Sequence, residues 1–406
     1  MKEISIKYTH SLIDYANVLG DSIIDKLVSN SKVLGTTKIV EINSTPEGGV
    51  AELLRSQIPM MRSLGLDASW YVLPENKQFF DTTKELHNCL QGQCSIDHSL
   101  DLQFYDDYLE EAVKDIPPAD LYILHDPQTL GLAKHIKNTP MVWRCHIDTT
   151  DAHEPSYQWM SNHFKYFSEI IFSLESFMHK DLDSKINIVQ PAIDPLSDKN
   201  ITLSPSQIKS HLKELDINKT EKYILQVSRF DKFKNPIGVL EMYEKIHQNT
   251  EDLTCILAGN FPSDDPEGPE YSKLLNRKIK SLKGNIRLIT QSNDLQINAL
   301  QSNASVIVQN STREGFGLTV SEAMWKKKIV FSNEVGGITE QIIDNKTGFY
   351  LTGDKHKDAN SIRQVIESPN EFISICDSAH QRVKNRFVLP VMIDGYIAVY
   401  NKALNI

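Results

Sequence analysis

At 406 residues, with 40% hydrophobic and 24% charged positions, the chain has enough material for two domains with cores of their own, and its composition excludes disorder. A formal net charge of −10 excludes non-specific nucleic-acid binding, which needs a basic face to replace counterions, so a polyphosphate ligand would have to be met by local Lys and Arg. No apolar run reaches the roughly 18 residues of a membrane-spanning helix, and the opening MKEISIKYTH lacks the basic and apolar blocks of a secretory leader. Neither membrane nor nucleic acid is therefore expected as a partner, and a cytoplasmic protein is. Cys89, Cys94, Cys145, Cys255 and Cys376 show no CxxC or zinc spacing and are expected as free thiols in a reducing compartment.

In chain order, a charged and helical segment to about Leu34 precedes a run of alternating elements. Strands are predicted at Lys38 to Ile42, Trp70 to Leu73, Leu121 to His125, Met141 to Arg144, Ile170 to Ser173 and Ile186 to Val189. Stretches with helical periodicity lie between most of them, such as Ala51 to Leu64, which Pro59 is expected to interrupt. The proline-rich stretch Gln190 to Pro205 reads as a linker. The alternation then restarts, with strands at Tyr223 to Val227, Cys255 to Ala258, Ile286 to Ile289, Ser305 to Gln309, Ile329 to Ser332 and Phe349 to Leu351, and helices such as Pro236 to Ile246 between. Short continuous strands separated by helices mean parallel sheets covered on both faces, so the fold class is α/β with two doubly wound, Rossmann-like domains. The expected boundaries are 1–195, 205–385 and a C-terminal helix over 386–406 that returns to the first domain. In such sheets ligands bind beyond the carboxyl ends of the strands, and two of them facing each other would enclose a cleft.

The stretch Arg313 to Trp325, REGFGLTVSEAMW, carries the densest chemistry. Glu314 and Glu322 flank a Gly315-Phe316-Gly317 turn and a helix start near Leu318, after a β-rich run. Helix-start N–H groups carry positive potential and suit a phosphorylated ligand. Eight residues span about 12 Å as helix and at most about 26 Å extended, so the two glutamates can hold different parts of one long ligand. After the strand at Tyr223, the loop Arg229 to Lys234 offers a planar fork and a point charge suited to a diphosphate. The same residues also fit a solvated basic loop. Gly48-Gly49 follow the first strand and precede a helix; they allow close approach of a ligand to the backbone, or serve as a tight turn, and lack the GxGxxG of a dinucleotide site. Two further strand ends carry polar groups, His125-Asp126-Pro127-Gln128 and Arg144-Cys145-His146-Ile147-Asp148, where a doubly wound sheet places ligand contacts. No metal-ligand spacing, nucleophile elbow or Walker loop is present.

Together these motifs resemble the retaining nucleotide-sugar glycosyltransferases of GT-B fold, the large family that includes sucrose synthase and glycogen synthases. Within it they resemble the trehalose synthases, which transfer glucose from a nucleoside diphosphate to glucose. NSTPEGGVAELL, TKELHNCLQG, HDPQ, VWRCHID, QVSRFDKFK, DDPEG, REGFGLTVSEAMW and VGGITEQIIDNKTGF carry the likeness over nearly all of Ile42 to Phe349. It implies that Arg229 and Lys234 bind the donor diphosphate, Glu314 the donor glucose hydroxyls and Glu322 the ribose, with the backbone of Gly315, Phe316, Gly317 and Leu318 facing sugar and phosphates. It further implies His146 beside the donor glucose, Asp126 near the acceptor, Gly48 and Gly49 at the reaction centre, and Asn88, Gln91 and Asp148 on the acceptor side. The substrates would be ADP-glucose or UDP-glucose and free glucose, with no tightly bound cofactor, no required magnesium, and a homodimeric assembly.

Asn235 and Lys327 stand where glycine is usual in that family, and Glu47 where a third glycine is common. Front-face transfer is expected rather than a glycosidase-type double displacement, which needs carboxylates about 5 to 5.5 Å apart. A trehalose phosphorylase would use the same basic pair for inorganic phosphate, and a catalytically silent sugar-nucleotide sensor would use the same residues for binding alone. The Asp264 to Gly268 loop is a candidate contact for the base.

Overall fold

The computed structural model describes every residue except 7–9, 95–99, 179–184, 249, 251 and 260–267, which leaves Asp264 to Glu267 of the candidate base loop outside the described residues. The chain divides into two compact units, one of Met1–Pro191 with Leu389–Ile406 and one of Ala192–Val388. No helix among the described residues is long and apolar enough to cross a membrane.

The first unit holds β1 (Lys2–Glu3), β2 (Lys38–Asn43), β3 (Asp67–Val72), β4 (Leu121–His125), β5 (Met141–Arg144), β6 (Glu169–Phe172) and β7 (Ile186–Ile188), in the order β1-β3-β2-β4-β5-β6-β7. Every pairing is parallel except β1 with β3. β4, LYILH, is buried at all positions, as a central parallel strand covered on both faces must be. β1 was not expected, because two residues are too few to show a period.

The helix Gly49–Ser63 runs through Pro59, which corrects the expected interruption. Ile58, Pro59, Met60 and Met61 are all buried, and that packing outweighs the one backbone hydrogen bond proline forfeits. The C-terminal helix expected over 386–406 runs from Leu389 to Leu404 and belongs to the first unit, and a separate helix, Ile373–Arg386, precedes it. The C-terminal helix buries Ile393, Tyr396, Ile397 and Tyr400, and Gly395 lets it approach Val189 to within 3.4 Å of where a Cβ would sit.

The second unit contains β8 (Lys222–Val227), β9 (Leu253–Ala258), β10 (Asn285–Ile289), β11 (Val306–Gln309), β12 (Val330–Ser332) and β13 (Phe349–Tyr350), all parallel, in the order β10-β9-β8-β11-β12-β13. Ile224, Cys255, Leu257, Val306 and Val308 from the sheet meet Val239, Leu240 and Tyr243 of the helix Pro236–His247 in a closed core. Burial of each large side chain there contributes about 1.5–3 kcal/mol.

Each sheet has one switch point where neighbouring strands send the chain in opposite directions, between β2 and β4 and between β8 and β11. A crevice opens there at the carboxyl ends of the strands. The loops that follow those four strands are the ones that carry Gly48-Gly49, His125-Asp126, Arg229 to Lys234, and Glu314 with its glycines.

Of the three departures from glycine, Asn235 at φ 46° and Lys327 at φ 58° adopt left-handed backbone. Asn235 fits that region well and caps the helix Pro236–His247 by accepting from Gly238 N at 3.1 Å. The loop geometry of a glycine is therefore kept.

Cys89 and Cys94 form a disulfide, which corrects the expectation of five free thiols; Cys145 and Cys255 are free and buried, and Cys376 is free and partly exposed. Gly92, at φ 76°, turns the chain back between the pair, and a Cβ there would lie 2.6 Å from Asp151 O. The pairing removes the ground on which a reducing compartment was expected.

Candidate active site

In the second unit the loop after β8 is shaped by Asp231, whose Oδ1 accepts from Phe233 N and Lys234 N at 2.9 Å each, while Gln226 Nε2 on the strand donates to Lys234 O at 2.7 Å. Such an Asx turn fixes the backbone from which Lys234 projects. Its Nζ lies 2.6 Å from both Oε1 and Oε2 of Glu314, and neither side chain is more than 16% exposed. Ser311 Oγ donates a third hydrogen bond to Glu314 at 3.2 Å. An ammonium has three donors, so two engaged by the carboxylate leave one for another anion. Arg229 pairs instead with Asp231 at 3.1 Å and keeps a side chain that is 57% exposed.

The helix Leu318–Trp325 starts from Gly317 in left-handed backbone, φ 82°, with no side-chain cap. Among the described residues no hydrogen bond claims the N–H groups of Gly315, Phe316, Gly317, Leu318 or Thr319. The carbonyls of this turn are bound within the protein: Gly337 N donates to Gly315 O at 2.7 Å and Val320 N to Gly317 O at 2.9 Å. A run of unclaimed N–H groups beside a lysine is a site for an oxyanion, because both carry positive potential and neither has been satisfied by the fold.

In the first unit β4 and β5 bring His125, Asp126 and His146 together. Asp126 Oδ1 accepts from His146 N at 2.7 Å, and Asp126 itself has a left-handed backbone, φ 61°. A non-glycine residue in that region stores about 1–3 kcal/mol of strain, of the kind that clusters at working sites. Burial pushes the Asp126 carboxyl above its usual range, against the amide of His146. Burial, with Arg144 and His125 nearby, pushes the His146 imidazole well below its usual value, so His146 is neutral near pH 7. Gly48, φ 90°, and Gly49 begin the helix after β2, and a Cβ on either would meet nothing within 4 Å.

Other expected residues are not drawn into these clusters. Glu322 is buried and accepts from Gln301 Nε2 at 3.3 Å, apart from the lysine that holds Glu314. Asp148 accepts from Thr150 N and Oγ1 at 3.0 and 2.6 Å. Asn88 lies in the last turn of the helix Lys77–Leu90 and Gln91 caps it, both partly exposed. Glu47 is exposed. Two contributors had no assigned role in the sequence: Gly336, whose Cβ would fall 1.8 Å from Glu314 O, and Glu41, at the floor of the histidine cluster. A glycine pair just after a strand was the available signal for the first. An acidic residue inside an apolar strand, KIVEIN, was the signal for the second.

Residues 41–179 match the family model described as trehalose synthase, N-terminal domain, and residues 207–385 match glycosyl transferases group 1. The trehalose synthase of Thermococcus litoralis is 35% identical over 401 residues, covering 96% of each chain. The trehalose phosphorylase of Pleurotus pulmonarius is 27% identical and spans 86% of this chain but 54% of its own. Among solved structures, Anabaena Alr3699/HepE in complex with UDP and glucose aligns at a TM-score of 0.68 with 20% identity, over 89% of this chain and 98% of that one. The two switch-point sheets and these matches define a glycosyltransferase of GT-B fold. Within that class the chain belongs to the trehalose synthase family.

Proposed function

We propose that the protein transfers glucose, with retention, from a nucleoside diphosphate glucose to free glucose, making α,α-trehalose reversibly. The observation that carries this reading is the row of unclaimed N–H groups from Gly315 to Thr319 beside the Lys234–Glu314 pair. That set offers donors to a diphosphate and a carboxylate to sugar hydroxyls.

In the proposed step the bond from the anomeric carbon to the phosphate oxygen breaks. The acceptor hydroxyl oxygen attacks from the same face, and its proton passes to the departing phosphate oxygen. Lys234 uses its third donor, and Arg229 its exposed fork, to stabilise the charge that develops on that phosphate. Glu314 holds donor hydroxyls, and the N–H groups of Gly315, Phe316, Gly317 and Leu318 hold phosphate. Glu322 binds the ribose of either ADP-glucose or UDP-glucose. In the first unit His146 meets the donor sugar and Asp126 the acceptor, with Asn88, Gln91 and Asp148 as further acceptor-side groups and Gly48-Gly49 as open backbone.

Supplying trehalose to the purified enzyme tests this reading. Cleavage that depends on ADP or UDP supports it, whereas cleavage with inorganic phosphate alone would make the enzyme a phosphorylase.

A further inference from the structure

The transfer reading gives no task to Glu41, yet this carboxylate sits in the middle of β2 with 0% exposure. Burying a carboxylate costs several kcal/mol unless hydrogen bonds repay it, and an apolar residue of similar size is often no less stable. Its placement therefore calls for an account.

Three donors converge on Glu41. Gln57 Nε2 donates to Oε1 at 2.6 Å and Tyr400 OH to Oε1 at 3.2 Å, while His125 Nε2 lies 3.0 Å from Oε2. Burial, reinforced by the charge of Glu41, pushes the Tyr400 hydroxyl well above its ordinary value, which keeps it a donor. The other nitrogen of His125, Nδ1, is 3.0 Å from His146 Nε2. The two rings lie within 15° of parallel with centroids 5.3 Å apart. Two imidazole radii added to the 3.0 Å contact account for that separation, so the rings meet edge to edge through a hydrogen bond instead of stacking.

With one proton on each imidazole, the chain of contacts has a single consistent assignment. An ionised carboxylate only accepts, so His125 carries its proton on Nε2. A His125 ring with that single proton presents a lone pair at Nδ1, so His146 donates to it from Nε2. That leaves Nδ1 of His146 as an acceptor. His146 is partly exposed, and its Nδ1 has no hydrogen-bond partner among the described residues.

We infer that Glu41 and His125 are positioning residues that lock His146 in the tautomer whose Nδ1 accepts a hydrogen bond from a sugar hydroxyl. The nature of the ligand rests on the transfer reading; the tautomer does not. The same relay would hold a proton that reached His146 Nδ1, because the buried charge of Glu41 lies two hydrogen bonds away.

The test uses the full chain labelled with ¹⁵N histidine, with the His146 signals identified by their loss in His146→Asn. The ligand-free protein should show the proton of His146 on Nε2 alone. Glu41→Gln, which replaces an acceptor-only group by an amide that can also donate to His125, should give a mixture. It should also lower kcat about tenfold or more with normal substrates, the order expected for losing one hydrogen bond. Against monodeoxy glucoses, offered in turn as donor sugar and as acceptor, that loss should vanish for the one sugar lacking the hydroxyl that His146 accepts. A proton on Nδ1 of His146 in the parent protein, an unchanged tautomer in Glu41→Gln, or an equal loss across all deoxy sugars would overturn the inference. A parent enzyme with no transfer activity would refute the proposed function instead, and the tautomer would still decide the relay.

Discussion

Lys234→Ala separates the structural work of the Lys234–Glu314 pair from its chemical work. At 2.6 Å and an effective dielectric of about 20, the gross attraction is about 6 kcal/mol. Desolvation of both ions and the remaining Ser311 hydrogen bond at 3.2 Å offset roughly half of it. Removing the lysine should therefore destabilise the second unit by about 3 kcal/mol, chiefly because a buried carboxylate is left underpaired. Turnover in nucleotide-sugar transfer should fall at least about a hundredfold, on the order of 3 kcal/mol of lost charge stabilisation.

The double variant Lys234→Ala/Glu314→Gln should recover most of the stability and none of the turnover. Arg229→Ala should lose a similar factor in turnover at a smaller cost in stability, about 1 kcal/mol, since its side chain is mostly in solvent and buried Asp231 keeps its two backbone donors. Denaturant unfolding alongside steady-state kinetics reads both quantities. A Lys234→Ala enzyme as stable as its parent, or one with near-normal turnover, would refute the reasoning.

Gly336→Ala should cost more than about 3 kcal/mol and at least a hundredfold in turnover, because its Cβ would lie 1.8 Å from Glu314 O with φ at 47°; parent-like activity would contradict the packing. Burial pushes the Lys326 amine down to about 8 from 10.5, so between those values the unfolded chain holds a proton that the folded chain has released. Stability should rise with pH across that window, by about 1–3 kcal/mol, and Lys326→Met should flatten the rise when unfolding is measured from pH 7 to 11. An equal slope in both proteins would remove Lys326 as the cause. Reduction of Cys89–Cys94, or the Cys89→Ser/Cys94→Ser variant, should lower stability by about 2 kcal/mol, the entropy of closing so short a loop, as followed by denaturant unfolding with and without reductant; no change would contradict it.

The α/β fold was legible because buried parallel strands are continuous apolar runs: Leu121 to His125 and Met141 to Arg144 match the predicted limits, and most other strands fall within a few residues. What escaped depended on partners distant in sequence. The edge strand Lys2–Glu3 forms only because β3 offers an unpaired side, and the helix survives Pro59 only because of what packs around it. Cys89 and Cys94 match no redox or metal motif, and their pairing follows from the turn at Gly92.

The site shows the same division. Arg229, Lys234, Glu314, Asp126 and His146 were marked by polar groups directly after apolar strands, the place where doubly wound sheets gather ligands. The sequence did not say that Lys234 grips Glu314 while Arg229 turns to Asp231, since both partnerships depend on loop backbone. Nor could it reveal that Glu41 reaches His146 through His125, a contact that joins β2, β4 and β5 side by side.

The most direct test of the proposed function is NMR analysis of the product made from ADP-glucose or UDP-glucose and ¹³C-labelled free glucose. An α,α-1,1-linked disaccharide carrying one labelled ring, formed together with the free nucleoside diphosphate, is the result predicted. A β linkage, transfer to water alone, or no disaccharide from either donor would contradict it.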